Sequence, residues 1–270
     1  EIYTLSLHDA LPISTSVRNL RPSPIREILN VVRQPGMISF AGGMPAPEVF
    51  PVEEFFVDEA LLRAQGSEVL QYGTTEGDPR LREFVAKWQE KRLGRVVGLD
   101  EMLLTTGSQQ VLDLVGWALI DKGDVVIVED PTYLSALSVF ANHGAEFFSV
   151  PMDGEGMMVD KLPEVVERVR ASGRRPKLIY TIANFQNPAG ATMALSRRER
   201  LAEVSAGCSL PVLEDDPYGY VRYDGEHLPS VFAFDKTGNV MYSGSFSKIL
   251  SPGTRVGEVE IGRASCRERV

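Results

Sequence analysis

The chain is poor in cysteine, has no excess of basic charge and contains no long apolar run. It has two cysteines among 270 residues, Cys208 and Cys266, too few for a disulfide framework and suited to a reducing, cytoplasmic setting. Acidic side chains outnumber basic ones, for a formal net charge of -9. That sign speaks against nucleic acid as a partner held by bulk charge. No stretch approaches the ~20 apolar residues of a membrane-spanning helix, so no membrane partner is expected, and no metal is expected either.

The two ends are unlike the rest. With a suitable choice of codons for Thr4 to Ile13, the reverse complement of that DNA reads, in a shifted frame, as Ile261 to Arg269 and the start of a valine codon. Opposite strands of one DNA segment at both termini indicate translated sequencing adapter. Residues 1–13 and 261–270 are therefore read as non-native, which leaves a gene fragment open at both ends. Cys266 leaves with them, the charges removed cancel, and Cys208 is the one native cysteine.

Residues 14–51 are rich in Pro and Gly, with one short helical stretch at 25–32, and read as an N-terminal arm. Residues 52–260 read as one large domain. Helices are expected at 52–65 and, after the turn-rich segment Gln71 to Pro79, up to Leu93. From Asp100 on, strand-like runs (102–106, 125–129, 147–150, 177–183, 212–214, 240–243) alternate with helical ones (108–120, 133–142, 161–171, 196–206). This alternation predicts an α/β fold, a mostly parallel sheet in a three-layer α/β/α arrangement.

In such sheets ligands bind beyond the carboxyl ends of the strands, and the unusual residues cluster there. Thr106-Gly-Ser-Gln-Gln110 follows the first strand and opens a helix. Its glycine and exposed N–H groups suit an anion, although Ser108 is also an ordinary helix cap. Asp130-Pro-Thr-Tyr133 follows the second; Tyr133 can stack on a flat ring or simply pack. Asn187-Pro-Ala-Gly190 is a plain turn in isolation. Glu214-Asp-Asp-Pro-Tyr218 closes a strand with acids that either are solvated caps or hold a protonated ring nitrogen. Ser245-Phe-Ser-Lys248 ends the last strand, and Lys248 alone is an ordinary lysine. Five polar clusters at one sheet edge are harder to dismiss than any one of them.

The motifs Asn-Pro-x-Gly, Asp-x-x-Tyr and Ser-x-Ser-Lys, in this order, resemble those of fold-type-I pyridoxal 5'-phosphate (PLP) enzymes of aminotransferase class I/II. The phrases Ser39-Phe-Ala-Gly-Gly-Met-Pro45 and Leu70-Gln-Tyr-Gly-Thr-Thr-Glu-Gly77 are similar to the 2-aminoadipate and kynurenine aminotransferase branch. The resemblance runs from about Ser16 to Gly257. It implies the large domain of the PLP-dependent transferase fold, a homodimer, and transfer of an amino group from an L-amino acid (2-aminoadipate, aromatic or branched-chain type) to a 2-oxo acid such as 2-oxoglutarate.

The resemblance also implies roles. Lys248 would carry PLP as a Schiff base and shuttle a proton. Asp215 would pair with the pyridinium nitrogen, the spacing Asp-x-x-Tyr favouring it over Asp216 and leaving Glu214 without a task. Asn187 and Tyr218 would donate to the phenolate oxygen, and Tyr133 would stack on the ring. Ser108, Gln109, Ser245, Ser247 and Arg255 would surround the phosphate, with Tyr72 reaching it across a dimer interface. Gly43 and Arg26 would line the substrate side. The family's small C-terminal domain normally supplies the arginine for the substrate α-carboxylate, so that role is given to no residue here and the fragment is expected to be inactive. Two other readings share the fold: the effector domain of a PLP-binding winged-helix transcription regulator, and a PLP lyase.

Overall fold

The computed structural model of the chain describes residues 36–38, 43–55 and 59–261. The expected helix at 25–32, Arg26 and both stretches read as adapter, apart from Ile261, lie outside the described residues. The chain divides into two units, one ending at Pro45 and one beginning at Ala46. In the first, the described residues carry no helix or strand, and Gly43 has φ +54°. The second holds the sheet.

The expected helix at 52–65 is found displaced: Glu53–Phe55 is a single 3-10 turn, and the helix α1 spans Glu59–Val69. Helix α2, Pro79–Leu93, starts where the side chain of Asp78 accepts from the N–H groups of Arg80 and Leu81, and stops at Gly94 in the left-handed region. The alternation then follows as β1 (Met102–Thr105), α3 (Ser108–Leu119), β2 (Val125–Asp130), α4 (Leu134–Asn142), β3 (Glu146–Asp153), β4 (Gly156–Met157), α5 (Leu162–Ala171), β5 (Pro176–Thr181), α6 (Leu195–Cys208), β6 (Val212–Asp216), α7 (Val231–Phe234), β7 (Val240–Ser245) and β8 (Gly257–Glu260).

The eight strands form one sheet in the order β1-β8-β7-β6-β5-β2-β3-β4. Strands β3, β2, β5, β6 and β7 run parallel in sequence. Strand β8 lies antiparallel to both β7 and β1, so β1 shares the direction of the parallel set. The antiparallel place of β8 between β7 and β1 lies outside the strand-like runs read from the sequence, the last of which is 240–243. Both of its glutamates, Glu258 and Glu260, are buried, Glu258 accepting from Gln89 of α2 at 2.6 Å.

Successive strand residues point to opposite faces, and the two cores sort accordingly. Ile127, Ile179, Val212, Val240 and Tyr242 pack on one face against α2, α5 and α6. Val126, Val128, Leu178, Tyr180, Leu213 and Met241 pack on the other against α3 and α4. This is the three-layer α/β/α arrangement. Among the described residues, no helix is long and apolar enough to cross a membrane.

Candidate active site

Because β1, β2, β5, β6 and β7 run in one direction, the segments that follow them leave the sheet at one edge: 106–110, 131–133, 182–190, 217–218 and 246–248. All five clusters expected from the sequence therefore share that edge. The antiparallel β8 begins there too, with Gly257 paired to Thr105 on one side and Ser245 on the other.

The β1–α3 turn has the form of an anion cradle. Gly107 precedes α3 with φ +87°, and no side chain caps the helix start. Arg255 donates through Nη2 to the Thr106 carbonyl at 2.9 Å. A Cβ on Gly107 would come within 3.0 Å of that guanidinium. Ser108 sits at the first position of the helix, where N–H groups and the helix dipole favour an anion. Across β8, the Ser245 and Ser247 hydroxyls are 2.9 Å apart, and the Ser247 N–H donates to Ser245 Oγ at 3.2 Å. Gln109 is exposed, and the neighbouring Gln110 instead takes the Thr106 N–H at 2.6 Å.

Lys248 ends the 3-10 turn Phe246–Lys248 directly after β7. It is partly buried, and that desolvation lowers its pKa. Trp88 of α2 stacks on Tyr220 (4.2 Å between ring centroids) and on Phe246 (5.2 Å), so an aromatic stack grips the turn that presents the lysine.

The acids that close β6 divide by face. Glu214 accepts from the N–H groups of Val231 and Phe232, each at 3.0 Å, and so holds the start of the short α7. Asp216 takes donors from Arg92, from Asn184 at 3.0 Å, from the Gly219 N–H at 2.9 Å and from the Tyr242 hydroxyl at 2.9 Å. Asp215, on the opposite face, accepts from the Tyr180 hydroxyl at 2.8 Å through Oδ2, while its buried Oδ1 has no partner among the described residues. Burial raises the Asp215 pKa to about 7, against the pull of the Tyr180 hydrogen bond. Ser243, its register partner on β7, also has a buried hydroxyl without a partner among the described residues.

Tyr218 follows in the same turn. Its hydroxyl accepts from Asn187 Nδ2 at 3.3 Å, and it packs with Tyr133 against one apolar cluster. The Asn187 loop is held at several points. Gln186 donates to Glu129 at 3.0 Å and to the Pro131 carbonyl at 2.8 Å, joining this loop to the one that carries Tyr133. Thr181 and the Ile182 N–H also donate to Glu129, whose burial raises its pKa to about 7. Phe185 adopts φ +46°, and the Asn187–Pro188 bond is cis. The buried Arg198 donates to the carbonyls of Ala183, Met193 and Pro229, each at 2.9 Å, and to Asn184 Oδ1 at 2.8 Å.

Tyr72 is 99 % exposed, and Gly43 belongs to the other unit. Tyr180, Glu129, Gln186, Arg92 and Trp88 were not read as site residues from the sequence. Tyr180 had a usable signal, since a tyrosine inside an apolar strand run needs an acceptor for its hydroxyl. The others had none, because their partners are remote in the chain.

Residues 46–267 match the family described as aminotransferase class I and II. The chain is 44 % identical over 245 residues to an aromatic-amino-acid aminotransferase of Thermococcus litoralis, covering 90 % of this chain and 59 % of that protein. It is 44 % identical over 241 residues to a 2-aminoadipate transaminase of Thermus thermophilus, covering 88 % and 58 %. Its backbone is similar to the crystal structure of a Pyrococcus horikoshii kynurenine aminotransferase, at a TM-score of 0.86 and 40 % identity, covering 95 % of this chain and 63 % of that one. The chain thus spans about three fifths of the length of these relatives. With its five strand-end clusters and its match over most of its length, the chain belongs to the class I and II aminotransferase family.

Proposed function

We propose that the chain is the cofactor-binding part of a PLP-dependent aminotransferase. It would act on an L-amino acid of the 2-aminoadipate, aromatic or branched-chain type, with a 2-oxo acid such as 2-oxoglutarate as acceptor. The observation that carries this reading is the unpartnered, fully buried Oδ1 of Asp215 on the strand beside the one that ends in Lys248. A buried acceptor without a donor is costly, and a protonated ring nitrogen is the partner it lacks. The Gly107–Arg255 cradle supplies the complementary anion site.

The residues present fit PLP. Ser108, Gln109, Ser245, Ser247 and Arg255 would hold the phosphate, Arg255 as a planar two-pronged donor, with Tyr72 joining them from a second copy. Tyr133 would cover the ring, while Asn187 Nδ2 and the Tyr218 hydroxyl would donate to its phenolic oxygen. When bound, PLP supplies an electron sink for the bond broken at the substrate Cα. Asp215 Oδ1 would keep the proton on the ring nitrogen, since an adjacent carboxylate favours the cationic form. Lys248 would hold the cofactor covalently and, once released by the incoming amine, carry the proton from the substrate Cα at Nζ. Its partial desolvation favours the neutral amine that this task requires. Gly43 and Arg26 would line the substrate side. A cytosolic setting is in keeping with the single cysteine of residues 14–260, and the family resemblance implies a homodimer.

The test is reduction of the PLP-loaded chain with borohydride, followed by peptide mapping. A pyridoxyl adduct on Lys248, absent in Lys248→Ala, is expected. An adduct on Lys177 or Lys236, or none anywhere, overturns the reading. A panel of amino donors on the intact gene product then separates aromatic, aminoadipate and branched-chain substrates.

A further inference from the structure

Tyr180 is fully buried on β5, on the sheet face shared by Leu213 and Asp215 of β6. Phe140 packs edge-on against its ring at 5.8 Å, which fixes the ring plane. Its hydroxyl donates to Oδ2 of Asp215 at 2.8 Å and leaves Oδ1 as the carboxylate oxygen without a partner. We infer that Tyr180 is a positioning residue that clamps Oδ2 so that Asp215 presents Oδ1, ionised, to the ring nitrogen of bound PLP. The inference rests on the cofactor reading above.

The physical argument has two parts. A carboxylate free to rotate about its last torsion offers either oxygen in many directions, whereas one held through Oδ2 offers Oδ1 in one. A donor to a carboxylate also favours its ionised form over the neutral acid. This matters because the proton between Asp215 and the ring nitrogen can reside on either. Near Asp215, the acidic Asp216 of the same strand works against ionisation, and Tyr218 lies in the turn that follows. Glu129 and Tyr133 act on Tyr180 itself. Among these neighbours, Tyr180 is the side chain that donates to Asp215.

The experiment is nitrogen NMR of the chain loaded with PLP labelled with 15N in the ring, comparing the wild type with Tyr180→Phe. Phenylalanine keeps the ring packing and removes the donor. The expected result is a 15N shift displaced toward neutral pyridine, with the proton equilibrium changed about tenfold, the size of one charge-assisted hydrogen bond. Identical shifts in the two proteins overturn the inference. Should Tyr180→Phe fail to fold, as judged by circular dichroism, 3-fluorotyrosine at position 180 decides. Its more acidic phenol is a stronger donor and is expected to move the shift toward pyridinium, whereas no movement, or movement toward pyridine, overturns the inference. A wild-type chain that yields no Lys248 adduct with PLP sinks the cofactor reading instead, so the two failures are told apart.

Discussion

Asp215 and Asp216 are adjacent in the chain and serve opposite faces of the sheet: Asp216 accepts from four donors, and Asp215 keeps one oxygen without a partner. Substitution should separate them cleanly. Asp216→Asn strands the buried guanidinium of Arg92, and breaking a buried ion pair from one side costs about 3–5 kcal/mol. Asp215→Asn removes an acid that burial already disfavours, so the cofactor-free protein should be at least as stable at pH 8, while PLP affinity falls. Chemical denaturation and PLP titration of both variants check this; equal losses of stability would show the division to be wrong.

The cofactor-free protein should melt at a lower temperature as pH rises from about 5 to about 8. Burial raises Asp215 and Glu129 to about 7 and also raises Glu258 and Glu260, whereas unfolded carboxyls titrate near ~4. A group with a raised folded pKa adds stability below its unfolded pKa and loses it as pH climbs through the folded one. Calorimetry across this range measures the slope, and PLP, by pairing with Asp215, should reduce it.

Gly107→Ala should weaken anion binding more than it harms the fold. The φ of +87° disfavours any Cβ, and this one would press within 3.0 Å of Arg255. A cost of about 1 kcal/mol or more in stability is expected, with inorganic phosphate binding reduced because the guanidinium must shift. Isothermal titration with phosphate checks it, and Arg255→Lys should show the same loss of affinity without the backbone strain.

Gln186→Leu should loosen two loops together. It deletes the donors to Glu129 and Pro131 and the acceptor for the Ala189 N–H, at 2.8 Å, in one step. Glu129 keeps its donors Thr181 and Ile182, and Pro131 and Ala189 are exposed, so the loss is about 1 kcal/mol for each hydrogen bond removed. Faster amide exchange is expected in both 131–133 and 186–190, and PLP should dissociate faster.

Much of the fold was legible in the sequence because apolar runs and helical stretches alternate from Asp100 onward, and most expected elements fall within a few residues of those found. The helix expected from residue 52 starts at Glu59, because the segment before it holds a 3-10 turn. The antiparallel pairing of β8 lies outside the runs read from the sequence, since Gly-Glu-Val-Glu has a polar alternation and is buried by pairing with β1 and β7. Glu214 has no task in the local motif because its partner is the start of α7, 17 residues later in the chain.

Local spacing and the one-edge rule for parallel strands are enough to mark Ser108, Tyr133, Asn187, Asp215, Tyr218 and Lys248 as residues at or just beyond strand ends. Which of them already have partners depends on long-range packing. Arg92 reaches Asp216 across 124 residues of chain and Tyr180 reaches Asp215 across 35. The reason is physical. Strand alternation sends neighbouring side chains to opposite faces, where the groups that meet them come from elements far away in sequence. A motif can therefore mark an aspartate, while packing decides which oxygen it has to offer.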